Sequence, residues 1–148
     1  MERTFMTCCF FGHRDTPFQI ESDLRKLLIY LIKEKGTDRF LVGNNGNFDR
    51  LASKVLADLQ AQFPKIKCFV VLSTLPTKNQ EPYPLETIYP EGLEKIPPRF
   101  AIDKRNRWML AQSDAVVGYI AYSVGGAAHY CNLAQKRGKE FYNLFEQL

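Results

Sequence analysis

Three short turns in this chain combine glycine with side chains able to hold an anion: Gly12-His13-Arg14, Gly43-Asn44-Asn45-Gly46-Asn47 and Ser123-Val124-Gly125-Gly126. Each ends an apolar, strand-like run (residues 7–11, 40–42 and 115–120) and opens into a helix-like segment. Glycines let a ligand approach the backbone, and a helix N-terminus offers free N–H groups with a partial positive charge. Arg14 carries a planar fork of donors suited to phosphate, and His13 could donate to a phosphate or a ribose hydroxyl. Gly43 and Gly46 would let N–H groups converge on an oxyanion, while Asn44, Asn45 and Asn47 add amides for hydroxyls or a base edge. Asp49 falls in the first turn of the helix that follows, where it could cap that helix, orient an arginine or accept from a ribose. Gly125 and Gly126, after Ser123, form the best phosphate site in the chain. The plainer alternative at each place is a strand-to-helix turn built from residues that favour turns.

A further basic group, Arg99, Lys104, Arg105 and Arg107 with Trp108, lies at a helix entrance. Positions 104 and 108 share a helix face and 105 points elsewhere. Arg105 and Trp108 could clamp a phosphate and stack a base; a solvated face with one core tryptophan is the alternative. With two histidines, His13 and His129, and no closely spaced cysteine pair across a turn, no metal site is expected. The cysteines Cys8, Cys9, Cys68 and Cys131 fall at strand and helix positions expected to be buried, which argues against a thiolate nucleophile.

The elements that must position these turns alternate. A helix with Ile20, Leu24, Leu27, Leu28, Leu31 and Ile32 on one face ends before Gly36; a second carries Phe48, Leu51, Ala52, Val55, Leu56 and Leu59. A buried strand is expected over 67–72. A third helix begins near Ile102 or Asp103, a fourth runs from Ala127 to about Arg137, and a final strand covers 140–144. Residues 73–101 break the rhythm with six of the eight prolines, which points to a lid, binding loop or irregular insertion. This order predicts one α/β domain over 1–148, three-layered and Rossmann-like, with a mostly parallel five-stranded sheet in the order 3-2-1-4-5. The first and fourth strands would then flank the crevice where such sheets bind ligands.

Composition agrees with a globular protein: 45% hydrophobic and 24% charged residues, with a mild net charge of +4. No stretch approaches the roughly 20 apolar residues needed to span a bilayer, and residues 1–6 do not read as a signal peptide. Unpaired cysteines in strand-like runs suggest a reducing, cytoplasmic setting without disulfides.

Four segments together carry a family likeness: Thr7-Cys8-Cys9-Phe10-Phe11-Gly12-His13-Arg14; Val42-Gly43-Asn44-Asn45-Gly46-Asn47-Phe48-Asp49; residues 99–108 (Arg-Phe-Ala-Ile-Asp-Lys-Arg-Asn-Arg-Trp); and Gly125-Gly126-Ala127. In this order they resemble the SLOG superfamily, and within it the small bacterial YpsA-like branch, over nearly the whole chain. The resemblance implies a Rossmann-like domain that binds nucleotides or their derivatives and forms homo-oligomers. Relatives include the Lonely Guy phosphoribohydrolases, the DprA proteins that load recombinase on single-stranded DNA, and sensors of NAD-derived signals. The phosphoribohydrolases carry Gly-Gly-x-Gly-Thr-x-x-Glu in the last turn. Here Gly125 and Gly126 match the leading pair, but His129 and Asn132 stand where the Thr and the catalytic Glu would be. An amide cannot act as a carboxylate base, so the binding site carries over and the hydrolase activity does not. In the second turn Asn44 and Asn47 replace common glycines.

The leading expectation is therefore a module for a nucleotide or an NAD- or ADP-ribose-like molecule, acting as sensor or sponge, with no cofactor. Phosphate would sit on Gly125, Gly126 and Arg14, the sugar would face Asn44, Asn47 and Asp49, and Arg105 or Trp108 would close over it. An N-glycosidase would need Asp49 as its carboxylate. A DprA-like single-strand binder would stack bases on Trp108 or Tyr83. Exposed aromatics in the Pro-rich segment, Tyr83 and Tyr89, could serve an interface between copies.

Overall fold

The computed structural model describes residues 5–147. Residues 1–4, part of the stretch read above for a leader, and Leu148 lie outside the described residues. In chain order the elements are β1 (Thr7–Gly12), α1 (Glu21–Glu34), β2 (Arg39–Val42), α2 (Asn47–Gln62), β3 (Lys67–Val71), β4 (Glu86–Ile88), α3 (Pro98–Gln112), β5 (Ala115–Tyr119), α4 (Gly126–Lys136), β6 (Glu140–Asn143) and the single turn α5 (Leu144–Gln147). Short 3-10 turns precede α1 and α3, at Phe18–Ile20 and Leu93–Lys95.

The sheet runs β4-β3-β2-β1-β5-β6, with every neighbouring pair parallel. β2, β1 and β5 are almost wholly buried and are covered on both faces. Successive side chains alternate between those faces: Cys8 and Phe10 pack with α1 and α2, and Cys9 and Phe11 pack with Met109 and Leu110 of α3 and with Cys131 and Ala134 of α4. The result is a three-layer Rossmann-like arrangement.

The expected strand order is present, but six strands replace the expected five. The addition is β4, which pairs along the outer edge of β3 and lies inside the Pro-rich segment. Its residues Glu86, Thr87 and Ile88 show no run of apolar positions, and only three pair, so the sequence gives no strand signal there. What makes the strand is the free edge of β3, to which Leu72 adds a further bond by donating its N–H to the Ile88 carbonyl at 2.8 Å. α3 also begins earlier than expected, at Pro98. Proline lacks only an N–H that the first turn does not use, and Pro97 supplies the extended residue before it. At the C-terminus the last strand stops at Asn143, and Leu144 already belongs to α5. Tyr83 and Tyr89 are half-buried against the core rather than exposed, which removes the reason for assigning them to an interface.

None of the helices among the described residues is long and apolar enough to cross a membrane. All four cysteines are free and buried.

Candidate functional site

Parallel strands place their carboxyl ends on one side. Because β2, β1 and β5 are adjacent in the sheet, the turns that follow them meet. Gly12, Gly43 and Gly125 line one cleft of about 560 Å³, with Arg14, Asp49, Arg105 and Gly126. A Cβ at Gly12 would lie 2.2 Å from the Phe48 ring, so glycine is what allows the first turn of α2 to close against the end of β1. Gly46 and Gly125 occupy the same backbone region, φ 92° and 99°, immediately before α2 and α4. This region is nearly restricted to glycine, and it aims the start of each helix at the sheet edge.

The two helix starts differ in how they are used. Asn47 of α2 donates its N–H to the Arg14 carbonyl at 2.9 Å, tying the first and second turns together. α4 has no side-chain cap and no acidic residue in its first turn. A Cβ at Gly126 would meet only the edge of Tyr130, at 4.0 Å, so the space before this helix is open. Arg14 is exposed and makes no ion pair with a described carboxylate. The cleft therefore offers a helix N-terminus and an uncommitted guanidinium, the two groups that suit an anion.

Arg105 stands apart from the clamp expected of it. It is 1% exposed, and its fork is spent inside the protein. Nη1 donates to Asn44 Oδ1 at 2.8 Å and to the Val71 carbonyl at 2.9 Å; Nη2 donates to Asn45 Oδ1 at 2.6 Å; Nε donates to Asn106 Oδ1 at 2.8 Å. Asp49 is its counter-charge. A Cβ at Gly43 would stand 2.9 Å from Asp49 Oδ2 and 3.1 Å from the Arg105 guanidinium carbon, so both groups press on the backbone there. Asp49 Oδ2 also accepts the Asn45 N–H at 2.9 Å. Burial pushes the Asp49 carboxyl up to about 6, although the Asn45 N–H, Arg105 and Arg14 pull the other way. Burial likewise lowers the Arg105 guanidinium, opposed mainly by Asp49. This is a strut that fixes the second turn from α3.

His13 also works inward. It is 5% exposed and its ring lies flat on Tyr122, centroids 3.7 Å apart and planes within 4°. Nε2 accepts the backbone N–H of Ala121 at 3.0 Å and of Tyr122 at 3.5 Å. An accepting Nε2 requires the neutral imidazole protonated on Nδ1. Burial lowers the His13 pKa, with Asp15 opposing. A lowered folded pKa means that this group's contribution is complete above the ordinary value of 6.5 and is lost as pH falls through and below it. The stability advantage of the wild type over His13→Gln should therefore shrink between pH 7.5 and pH 5. Urea titrations at the two values check this, and an unchanged difference would contradict an accepting imidazole.

The remaining expected site residues scatter. Asn44 turns away and donates to the Tyr83 hydroxyl at 3.0 Å; with Gly46 it lines a neighbouring hollow of about 550 Å³ that shares Gly43 and Asp49 with the cleft. Asn47 Nδ2 reaches the Thr16 carbonyl at 3.4 Å. Ser123 is exposed and is absent from the cleft wall. Trp108 lines a separate depression of about 370 Å³ beside Lys104, Arg107 and Pro90, so it does not close over this cleft. Arg99 does line the cleft, with its guanidinium 4.8 Å from the centre of the Phe100 ring. His129 is exposed, and the Cys131 thiol is held against the Phe11 carbonyl with its pKa raised by burial.

Sequence reasoning missed Tyr122 and the Asp103–Tyr130 pair, in which the Tyr130 hydroxyl donates to Asp103. Tyr122 sits next to a turn already singled out, and proximity to that glycine pair was its available signal. Asp103 and Tyr130 lie on different helices, α3 and α4, and no spacing rule joins them.

No family model and no curated protein matches the chain. Among solved structures it is similar to DNA processing protein A (DprA) from Streptococcus pneumoniae, at 19% identity and a TM-score of 0.67, over 93% of this chain and 49% of that one. It is also similar to DprA from Helicobacter pylori, a structure described for its single-stranded DNA binding mode, at 19% identity and a TM-score of 0.61, over 98% of this chain and 72% of that one. The chain thus spans about half the length of the Streptococcus protein. At this identity the likeness establishes the fold, a parallel α/β sheet of Rossmann-like type.

Proposed function

We propose that the cleft binds a nucleotide or a nucleotide-derived small molecule, with its phosphate at the start of α4. The supporting observation is the uncapped N-terminus at Gly125 and Gly126 opening on the same space as exposed Arg14. Backbone amides and a free guanidinium bind a phosphate without needing a buried charge of their own. Gly12 and Gly43 let Phe48, Asp49 and Arg105 pack tightly against the two turns that line the cleft. On this reading Asp49 and Arg105 hold the second turn in place, and the protein is a sensor or sequestering module. Self-assembly, implied by the SLOG resemblance, belongs to the same proposal.

The Helicobacter pylori neighbour supports a second reading of this cleft, single-stranded DNA threaded across it through the same phosphate contacts. The readings separate by salt. A single-strand binder loses affinity steeply and linearly in log salt as phosphates shed counterions, whereas a mononucleotide depends on salt weakly. Binding of ADP-ribose, AMP and an oligothymidylate should be measured by calorimetry at two salt concentrations.

Gly126→Ala puts a methyl group into the mouth without a backbone penalty, since this glycine is not among those with positive φ. It should weaken phosphate-bearing ligands about tenfold or more while leaving unfolding unchanged; Arg14→Ala should do the same through a lost charge-assisted bond. Full affinity in both variants would remove the phosphate site from this position.

A further inference from the structure

We propose that Tyr122 is the stacking platform for a nucleobase, so that the cleft selects ligands carrying a planar aromatic ring as well as a phosphate. The inference rests on the phosphate reading above and adds where the base goes. Four tyrosine or phenylalanine rings line the cleft, and three of them, Phe10, Phe11 and Tyr130, are buried. Tyr122 is 47% exposed although His13 covers one of its faces at 3.7 Å. That exposure belongs to the opposite face and the ring edges, and among the described residues no other aromatic ring stacks on Tyr122.

The ring is also held still before any ligand arrives. His13 backs it in parallel, its hydroxyl donates to Asp15 Oδ1 at 3.1 Å, and its backbone N–H points to His13 Nε2. A side chain fixed at its face, its tip and its main chain loses little freedom when a base stacks on it. The surroundings suit a flat apolar surface: Val124, 69% exposed, and Ile102, 38% exposed, line the same cleft. Exposed apolar side chains around a site otherwise built for an anion have no use for a bare phosphate, but they match the faces of a purine. Trp108, the aromatic that the sequence offered for this role, opens onto a different depression.

The test compares two probes that differ by the base alone, AMP and ribose 5-phosphate, on wild type, Tyr122→Ala and Tyr122→Phe. Tyr122→Ala should weaken AMP by about tenfold or more and leave ribose 5-phosphate within twofold, because base–aromatic stacking is lost and the phosphate contacts remain. Tyr122→Phe should keep AMP affinity within about threefold, since the face survives and only the Asp15 bond goes. Equal loss of both probes in Tyr122→Ala would show that the turn and not the ring matters, and would overturn the platform while leaving the phosphate site standing. Unchanged AMP affinity would overturn it too. Failure of the wild type to bind either probe would sink both proposals.

Discussion

Arg105→Ala is expected to cost about 3–5 kcal/mol of stability, because it strands several acceptors that its fork satisfies and removes the cation that most favours the ionised form of buried Asp49. The side chain is 1% exposed and heads the large, fully buried side chains among the described residues. Removing it strands the side-chain oxygens of Asn44, Asn45 and Asn106 and the Val71 carbonyl, all at 2.6–2.9 Å from the fork. It also leaves Asp49 inside without its main counter-charge. A buried acceptor without a donor costs about 1–3 kcal/mol, so even partial rescue by water leaves a large deficit. Arg105→Lys keeps the charge, but one ammonium cannot reach all four acceptors, and an intermediate loss is expected. Urea denaturation is the readout, with a parallel fall in melting temperature of roughly 2–4 °C per kcal/mol for a chain of this size. A loss below about 1 kcal/mol in Arg105→Ala would contradict the strut.

The pH dependence of the same network has a definite sign. The folded Asp49 carboxyl sits at about 6, above its ordinary 3.8. A raised folded value means that the stabilising contribution is complete below 3.8 and is lost as pH rises through 6, a difference on the order of 3 kcal/mol. Asp49→Asn should flatten that decline between pH 4 and pH 7. In Arg105→Ala the decline should steepen, since the cation that favours the carboxylate is gone.

Gly46→Ala is the second large effect, and two separate penalties produce it. The φ of +92° with ψ of −176° is a region that side chains rarely enter, costing about 1–3 kcal/mol. The added Cβ would also lie 2.6 Å from the Arg14 Cα, which is backbone and cannot swing aside. Relief requires moving the first turn away from the second, and with it the Asn47-to-Arg14 bond and the Arg14 side chain at the cleft. A loss of about 3 kcal/mol or more is expected, together with lost ligand affinity. Gly36→Ala and Gly138→Ala provide the contrast: their φ values are +71° and +75°, and nothing lies within 4 Å of the new carbon. They should cost about 1–2 kcal/mol, the ordinary left-handed penalty, and leave the cleft unaffected. Equal destabilisation across the three would mean that backbone strain alone, and not the close approach to Arg14, governs Gly46.

The alternation of strands and helices, the order of the central strands and the meeting of three glycine turns at one edge are all legible in the order of residues. The reason is that hydrophobic period and glycine chemistry are local signals, and the topology of parallel α/β sheets follows from them with few alternatives. β4 escaped because its three residues pair only when β3 presents an edge. Arg105 and Trp108 stand one turn apart on α3, yet the first is buried under the second turn and the second lines another depression. Their spacing says that they cannot share every neighbour, but only the packing of α3 on the sheet decides which one faces the cleft. His13 likewise reads as a ligand donor by type, and becomes an acceptor for main-chain N–H groups because β5 ends beside β1 and carries Ala121 and Tyr122 to it. Packing alone sorts the polar groups that spend their hydrogen bonds inside the protein from those, like Arg14 and the start of α4, that are left facing the cleft.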